Sequence, residues 1–253
     1  MGRLGDFMKV RAVAFLLAVA CASVAHAQQN QPIYPAYDGF LKNPDGSYTV
    51  AFAYFSHNAD PVTIPPGAAN AFAPTPGDRM QPTTFLPGHW RFQCVMVVGA
   101  DFDGKMNWKL TYAGTTTGTS EHMLQSNWNL LEGAAELKKI DYARVPKGVC
   151  LNRAPTVRVL GVTARRDGPP PTLTVALSEP LNLFGSVHDE GLPRGKALTA
   201  EWRMLKGPGT VTFTIPGSAR TKATFSAPGT YELELAGSDS EFTERTRVNV
   251  KVQ

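Results

Sequence analysis

The densest group of side chains that could do chemistry is the run His188-Asp189-Glu190, with Asp239 as a further acid towards the C-terminus. Ca²⁺ prefers carboxylate oxygens, and loops at one end of a β-sheet domain can bring such groups together. The run matches no established metal-binding motif, but Asp189, Glu190 and Asp239 are candidate calcium ligands. The alternative interpretation of the run is a solvated turn.

Three further histidines, His57, His89 and His122, have no sequence neighbours that would complete a metal or catalytic centre. None has a second His, Cys or acid at the spacing that zinc sites use. The sequence also lacks the G-x-S-x-G turn of serine hydrolases and the glycine-rich loops that hold phosphate. We therefore predict no catalytic residues and no cofactor.

Two cysteines, Cys94 and Cys150, are candidates for a disulfide. Proteins that fold in oxidising compartments commonly pair two cysteines of one small domain. Cys94 lies on the apolar face of an alternating segment and Cys150 lies near the end of the same predicted domain, so a bridge would tie that end to the core. The alternative is two buried thiols, and neither has the cationic surroundings that activate a catalytic thiol.

Residues 1–27 have the features of a secretory signal peptide. They combine a basic start, an apolar run at 12–20 and the A-x-A form Ala25-His26-Ala27. The apolar run is too short for a permanent membrane anchor. A second interpretation is a lipoprotein signal, in which Cys21 is lipidated and becomes the first residue. We expect a periplasmic or secreted protein, or one anchored through Cys21.

The elements that would position these groups are short alternating apolar segments, which predict an all-β chain of two β-sandwich domains. The 23 glycines and 20 prolines separate these segments, as is typical of sandwiches. We place the first domain at residues 28–154 and the second at residues 155–253. No long helix is predicted; residues 130–140 have helical spacing, which Gly133 weakens.

In the first domain, alternation predicts a hairpin between residues 90–98 and 106–112. A strand at 48–54 follows a turn at 43–47, where Asp45-Gly46 favours positive φ. Residues 114–120 are predicted as a Thr-rich loop and residues 122–130 as a strand.

Residues 57–88 are rich in proline and poor in strand signals. A loop of that length in a compact domain is either functional or disordered. We therefore expect it to be the first place for a partner site, the alternative being a surface loop without function.

The second domain has the clearest pattern in the chain. Four apolar residues share one face of a predicted strand, namely Leu198, Ala200, Trp202 and Met204. The apolar face continues in a further strand that ends at Ile215, and Tyr231 stands where a tyrosine corner is expected. Seven strands are predicted, at residues 172–177, 181–187, 198–205, 210–215, 221–225, 230–237 and 244–252. Strands with one apolar face each must pack against a facing sheet.

This pattern resembles the polycystic-kidney-disease-type (PKD-like) domain, an immunoglobulin-like sandwich of many secreted bacterial proteins. The resemblance covers roughly residues 155–253 and rests on residues 185–193, 198–202, 207–213, 223–231 and 236–239. It implies binding or spacing outside the cytoplasm and no catalytic residues. The opening Tyr37-Asp38-Gly39-Phe40 resembles the start of uncharacterised secreted bacterial proteins, a similarity that implies no function.

These features predict a non-catalytic exported protein that binds a protein or a cell-envelope component through loops of its two sandwiches. The sequence has no basic stripe interleaved with aromatic residues, so nucleic acid is not an expected partner. Membrane contact is expected only through a lipidated Cys21. One alternative is glycan binding, with Trp128, His57 and His89 as candidate contacts. A further alternative is an enzyme with a site between the domains.

Overall fold

The computed structural model describes residues 30–130, 141–161 and 168–253, and these are organised almost entirely as β-strands. The predicted all-β class is confirmed. Within these ranges, no helix is long and apolar enough to cross a membrane. The predicted signal peptide with Cys21, and all but the first residue of the helix predicted at 130–140, lie outside the described residues.

Eight strands in three sheets build the first sandwich. Their bounds are β1 (Ile33–Lys42), β2 (Tyr48–Ser56), β3 (Val62–Thr63), β4 (Asn70–Ala73), β5 (Thr84–Phe85), β6 (Gly88–Val98), β7 (Asn107–Tyr112) and β8 (Thr115–Gly118). One sheet has the order β1-β2-β6, a second has the order β4-β7-β8, and β3 pairs with β5. Strand pairing is antiparallel in all three sheets.

The core of the first sandwich is built from aromatic side chains of the two three-stranded sheets. The ring of Phe52 on β2 lies 5.1 Å from that of Phe72 on β4 and 6.4 Å from that of Trp108 on β7. All three side chains are buried. Trp108 donates its indole N–H to the side chain of Asn70 at 2.9 Å, so the polar end of the buried ring is satisfied.

The predicted turn at residues 43–47 is confirmed, and it joins β1 to β2. The Asn43 N–H donates to the Ser47 carbonyl at 2.8 Å. Gly46 has a φ of 86°, which glycine adopts without a steric penalty.

The hairpin predicted between residues 90–98 and 106–112 is wrong. Both segments form strands, β6 and β7, but β6 pairs with β2, whereas β7 pairs with β4 and β8. The connection between them therefore carries the chain from one sheet to another. Alternation identifies a strand and its buried face, but it contains no information about which strand lies beside it.

The segment at residues 57–88 is also not the strand-poor loop that its composition suggests. It contains β3, β4 and β5, and it buries Phe72 and Phe85 in the core. Asn70 orders it, because its side-chain N–H groups donate to the carbonyls of Ile64 and Pro82 at 2.9 and 2.8 Å. A buried polar residue, rather than apolar alternation, therefore fixes this segment.

Two smaller predictions for the first domain are corrected as well. The Thr-rich segment at 114–120 contains β8, because its β-branched residues pair with β7. Residues 122–130 do not form the predicted strand and instead contain a 3-10 helix at Ser126–Trp128.

The second sandwich has two four-stranded sheets. Its strands are β9 (Thr156–Val159), β10 (Thr172–Val175), β11 (Leu181–His188), β12 (Thr199–Lys206), β13 (Val211–Phe213), β14 (Arg220–Phe225), β15 (Gly229–Ser238) and β16 (Thr243–Val252). The sheets have the orders β10-β16-β15-β12 and β13-β14-β11-β9. β10 runs parallel to β16, and the other pairs are antiparallel. All seven predicted strands are present.

The two facing sheets close around Trp202, which is 2% exposed. Its indole N–H donates to the Ala219 carbonyl at 2.9 Å. The hydroxyl of buried Tyr231 donates to the Ala227 carbonyl at 2.7 Å, which is the tyrosine-corner arrangement. The prediction of a sandwich built around a buried indole is confirmed.

Three details of the second sandwich differ from the prediction. The strand β9 is absent from the predicted set, and its burial does not alternate, since Thr156 and Val157 are both half-buried. The sequence pattern predicts Leu198 and Ile215 on the buried face, yet they are 41% and 57% exposed. Both lie beyond strand ends, since β12 begins at Thr199 and β13 ends at Phe213.

The predicted disulfide between Cys94 and Cys150 is confirmed, with the two Cα atoms 4.8 Å apart. It holds the segment at 145–151 beside β6. Backbone N–H groups of Val97 and Leu151 complete this attachment, by donating to carbonyls across the contact at 3.1 and 2.8 Å. The segment covers the face of the β1-β2-β6 sheet that points away from the main core.

Candidate functional site

A cleft of about 370 Å³ lies where the two sandwiches meet. Its walls are the first half of β6, the extended segment at 153–156, and the end of β11 with the turn that follows. Aromatic, cationic and carboxyl side chains line it, among them Trp90, Arg91, Arg153 and Glu190. Such a mixture suits a ligand with both apolar and polar groups.

The wall from the first sandwich is a bulge in β6. Residues 91–93 stand opposite the single residue Ala53 of β2, and Phe92 has a φ of 56°. Residues with large side chains rarely adopt this conformation, which is strained. Asp38 holds the bulge, because its carboxylate accepts hydrogen bonds from the Phe92 N–H at 2.6 Å and from Nε of Arg91 at 2.8 Å.

The wall from the second sandwich centres on Glu190, which is 6% exposed. Its main-chain carbonyl accepts from the N–H groups of Thr83 and Thr84 at 2.8 and 3.2 Å, and its Oε1 accepts from the Arg153 N–H at 2.8 Å. Gly191 follows with a φ of 93°, at a point where a Cβ would collide with the Thr83 hydroxyl. Glu190 therefore joins both sandwiches and the segment between them.

Burial raises the pKa of Glu190 from 4.5 to about 8, and the charge of Asp189 adds to this rise. The backbone hydrogen bond and the charge of Arg153 oppose the rise without cancelling it. The carboxyl of Glu190 therefore keeps its proton at neutral pH, and it offers a donor as well as an acceptor.

Asp189 gives the cleft a carboxylate oxygen without a partner. Its Oδ1 accepts from the N–H groups of Gly191 and Leu192 at 2.8 and 3.2 Å. Its Oδ2 is buried and has no hydrogen-bond partner within residues 30–130, 141–161 and 168–253. Burial raises the pKa of Asp189. Because buried polar atoms are nearly always paired, this oxygen is an unfavourable feature in the wall of the cleft.

His188 lies beside these two acids and lines the same cleft. Burial lowers the pKa of His188, and the positive charges of Arg158 and Arg220 lower it further. The imidazole is therefore neutral at neutral pH and can accept as well as donate a hydrogen bond.

Two further residues, Arg194 and Asn152, make hydrogen bonds between the two parts of the chain. Arg194 of the second sandwich donates to Asp78 of the first at 2.8 Å. Asn152, in the connecting segment, donates to Asp239 at 3.0 Å and to Glu241 at 2.8 Å. The two sandwiches are therefore joined by polar contacts and not by a shared apolar core.

The structure brings together only part of the candidate calcium set. Asp189 and Asp239 line one small pocket, whereas Glu190 faces Arg153. Among the described residues, no group of three or more His, Cys, Asp or Glu side chains is placed to hold a metal ion. Calcium binding by these residues stays a prediction.

Of the candidate glycan contacts, His57 and His89 come together and Trp128 lies elsewhere. Phe55 separates the two imidazoles, with ring centroids 4.4 Å from His57 and 6.1 Å from His89. Both histidines are exposed, and His89 also lines the cleft. Trp128 is half-buried, with its ring 5.5 Å from that of Tyr37, so it packs on the core.

Several residues of the cleft are absent from the sequence-based candidates. Asp38, Arg91 and Arg153 are widely separated along the chain, and nothing in their local sequence indicates that they meet. The one indication in the sequence is that Asp38 is a charged residue within an apolar strand, because a buried charge needs a partner.

The chain has similarity at low identity to several solved structures. No family model matches it. The PKD domain from KIAA 1837 protein is 23% identical, with a TM-score of 0.25, over 34% of this chain and 81% of that chain. Drosophila N-cadherin EC1-3 is 12% identical, with a TM-score of 0.31, over 87% of this chain and 67% of that chain.

Fibronectin(III)-like modules of Clostridium thermocellum CbhA are 10% identical, with a TM-score of 0.27, over 87% of this chain and 94% of that chain. TM-scores this low carry no argument about the activity or partners of this chain. The all-β sandwich architecture follows from its own strand pairing.

Proposed function

We propose that this chain is an exported, non-catalytic recognition protein whose partner, a protein or another component of the cell envelope, binds in the cleft between the sandwiches. The observation that carries the proposal is that one cleft is lined both by the strained bulge at Phe92 and by Asp189, whose buried Oδ2 has no hydrogen-bond partner among the described residues. Backbone strain and unpaired buried oxygens are unfavourable for stability, and they are concentrated at binding sites.

Export is supported by two independent features. The Cys94–Cys150 disulfide is typical of proteins that fold in an oxidising compartment. Residues 1–27 have the basic, apolar and small-residue pattern of a signal peptide. Together they favour a periplasmic or secreted location.

A non-catalytic role is supported by how Glu190 is held. Adjacent carboxyls of different pKa occur in acid–base catalysis, but this carboxyl is 6% exposed and its Oε1 is engaged by the Arg153 N–H. Its carbonyl also anchors Thr83 and Thr84. Glu190 is therefore better placed to hold the interface than to transfer protons to a substrate.

The test is to block the cleft without removing any hydrogen bond. Ala154 is exposed and lines the cleft, so Ala154→Trp fills it. Ala176 is exposed at the opposite end of the second sandwich, so Ala176→Trp is the matched control. We expect wild-type protein and the control to recover one partner in fixed proportion from an envelope extract, and Ala154→Trp to lose it.

Equal recovery of that partner by Ala154→Trp would place the binding surface elsewhere. Failure of the wild-type protein to recover any partner in fixed proportion would remove the recognition function itself. Circular dichroism and the melting temperature of each variant establish that the comparison is made between folded proteins.

Glycan binding is a second candidate, favoured by aromatic side chains next to His89, which lines the cleft. Tyr34, Phe55 and His89 are cross-strand neighbours on β1, β2 and β6, and Tyr34 is 43% exposed. On a glycan array, Tyr34→Ala is expected to abolish binding, while Phe242→Ala, an exposed aromatic of the second sandwich, should not. No glycan signal from wild-type protein would leave protein recognition as the remaining candidate.

A further inference from the structure

Among the residues that the structure describes, the outer surface of one sheet in the second sandwich carries cations and large apolar side chains and no acid. In β9, β11 and β14, alternate residues point outward, and the strand register puts Leu160 beside Phe184 and Phe184 opposite Arg220. Arg158 and Lys222 lie one outward position away on β9 and β14. We call Arg158, Leu160, Phe184, Ile215, Arg220 and Lys222 the basic face.

The apolar residues of the basic face are unusually exposed. Leu160, Phe184 and Ile215 are 43%, 53% and 57% exposed. They are contiguous, because the Leu160 N–H donates to the Phe184 carbonyl at 2.7 Å, and Phe184 and Ile215 line one open groove. A contiguous exposed apolar patch on a protein surface commonly marks an interaction site.

The cations of the basic face have no acidic partners among the described residues. Within the part of the chain that the structure describes, neither Arg158, Arg220 nor Lys222 forms an ion pair. The positive charges of Arg158 and Arg220 also act on His188 at the end of β11, because they lower its pKa in addition to the effect of burial.

The opposite sheet of the same sandwich handles its charges differently. There the buried carboxylate of Glu234 is shared by Arg203, Arg245 and Arg247 at 2.6 to 3.5 Å. All three arginines of that sheet are therefore paired with acids, although Lys251 on β16 is not paired within the described residues. The basic face differs in that none of its three cations is paired there.

We propose that the basic face docks on an anionic lipid surface. Interfacial binding combines apolar side chains that enter the headgroup boundary with Lys and Arg that meet anionic headgroups. The cations lie on β9 and β14, about 10 Å apart with β11 and its phenylalanine between them. A continuous anionic surface satisfies all of them at once, whereas a protein partner would need carboxylates at matching positions.

The proposal is independent of the cleft, which lies at the end of the sandwich and not on this surface. It requires only the purified protein and synthetic vesicles. Its failure would leave recognition in the cleft unaffected, and failure of the cleft proposal would leave lipid docking unaffected.

The test measures co-sedimentation with vesicles in which about a third of the lipid is phosphatidylglycerol, compared with pure phosphatidylcholine vesicles. We expect binding to the anionic vesicles only, weakened by high salt. The variant Arg158→Glu/Arg220→Glu/Lys222→Glu is expected to lose about a hundredfold in partitioning, from three surface cations. Phe184→Ser with Ile215→Ser should weaken binding without changing its salt dependence.

The matched control changes the net charge by the same amount at positions outside the basic face. Lys42, Lys109 and Lys251 are exposed and outside the basic face, so the triple variant Lys42→Glu/Lys109→Glu/Lys251→Glu carries the same charge change. Equal loss in both triple variants, or no binding of wild-type protein to anionic vesicles, overturns the proposal. Binding to soluble polyglutamate in place of vesicles would also overturn it, and would identify an acidic polypeptide as the partner.

Discussion

Glu190 connects the two sandwiches through both its main chain and its side chain. Its carbonyl accepts hydrogen bonds from the first sandwich, and its carboxyl accepts one from the connecting segment. The same burial that makes these contacts also keeps the carboxyl protonated at neutral pH. One side chain therefore couples the geometry of the cleft to pH.

The first prediction concerns the stability of Glu190→Gln across pH. The folded state of the wild-type protein keeps the proton up to about pH 8, whereas the unfolded state releases it near 4.5. The wild-type free energy of unfolding should therefore fall as pH rises between these values, by up to about 4 kcal/mol. Glutamine does not titrate, so the variant gains in relative stability over that window.

The measurement is the melting temperature of both proteins at several pH values, with Glu201→Gln as a control at an exposed site. A difference between Glu190→Gln and wild-type protein that stays constant from about pH 5 to about pH 8 would contradict the raised pKa.

At the scale of residues, the sequence predicts contacts where the residue type itself indicates the partner or the environment. The disulfide cysteines and the buried Trp202 belong to this kind. The sequence does not predict the ion pair between Asp38 and Arg91. That contact depends on bulges in β1 and β6, which apolar alternation does not indicate. His57 and His89 are far apart along the chain, and only the fold shows that Phe55 packs against both.

At the scale of elements, Asn70 has a larger effect on the first sandwich than its polar character suggests. Its side chain makes three hydrogen bonds, to the carbonyls of Ile64 and Pro82 and from the indole of Trp108. These bonds fix the position of β4 and of the segment around it against β7.

Asn70→Ala is therefore expected to reduce the free energy of unfolding by about 3 kcal/mol, since it leaves several buried polar groups unpaired. Urea denaturation measures the effect, with Asn182→Ala on the exposed face of β11 as the matched control. A loss as small as that of the control would show that the segment is held by apolar packing alone.

The disulfide is the second feature at the scale of elements, because it links the segment at 145–151 covalently to β6. Replacing Cys94 and Cys150 together with alanine should reduce the free energy of unfolding by about 4 kcal/mol in the chain-entropy model, given a sequence separation of 56. Dithiothreitol should lower the stability of the wild-type protein by a similar amount and leave the double variant unchanged. Sensitivity of the double variant to dithiothreitol would contradict this account.

Prediction from sequence is most successful where a strand has one buried face, as in the second sandwich. In the first sandwich it finds the long strands β2 and β6 but misses the short strands β3, β4, β5 and β8, which depend on distant partners. The β6–β7 hairpin is the clearest case, because two well-patterned neighbours along the chain belong to different sheets. Sheet membership is decided by packing between segments, which no local pattern records.

At the scale of the whole molecule, two separate apolar cores are joined by a small set of polar contacts. Interfaces of this kind resemble transient protein–protein interfaces, so the coupling of the two cores depends on few contacts. The division at residues 154 and 155 remains a prediction, since unfolding has to show whether each part behaves as a unit.

The double variant Asn152→Ala/Arg194→Ala removes hydrogen bonds between the two parts of the chain while leaving both cores intact. We expect calorimetric unfolding, a single transition in the wild-type protein, to separate into two transitions. The exposed pair Arg144→Ala/Asn182→Ala serves as the control. An unchanged profile in the interface variant would show that the sandwiches do not depend on these contacts.

Because the carboxyl of Glu190 is protonated in the interface, proton release on binding reports how a partner enters the cleft. A partner that acts as a wedge and exposes Glu190 to solvent must expel one proton at neutral pH, because the solvated group ionises near 4.5 and the enclosed one at about 8. Its affinity then rises in alkaline solution, and its calorimetric heat varies with the ionisation enthalpy of the buffer. A partner that only fills the existing space expels no proton, and its heat is the same in every buffer.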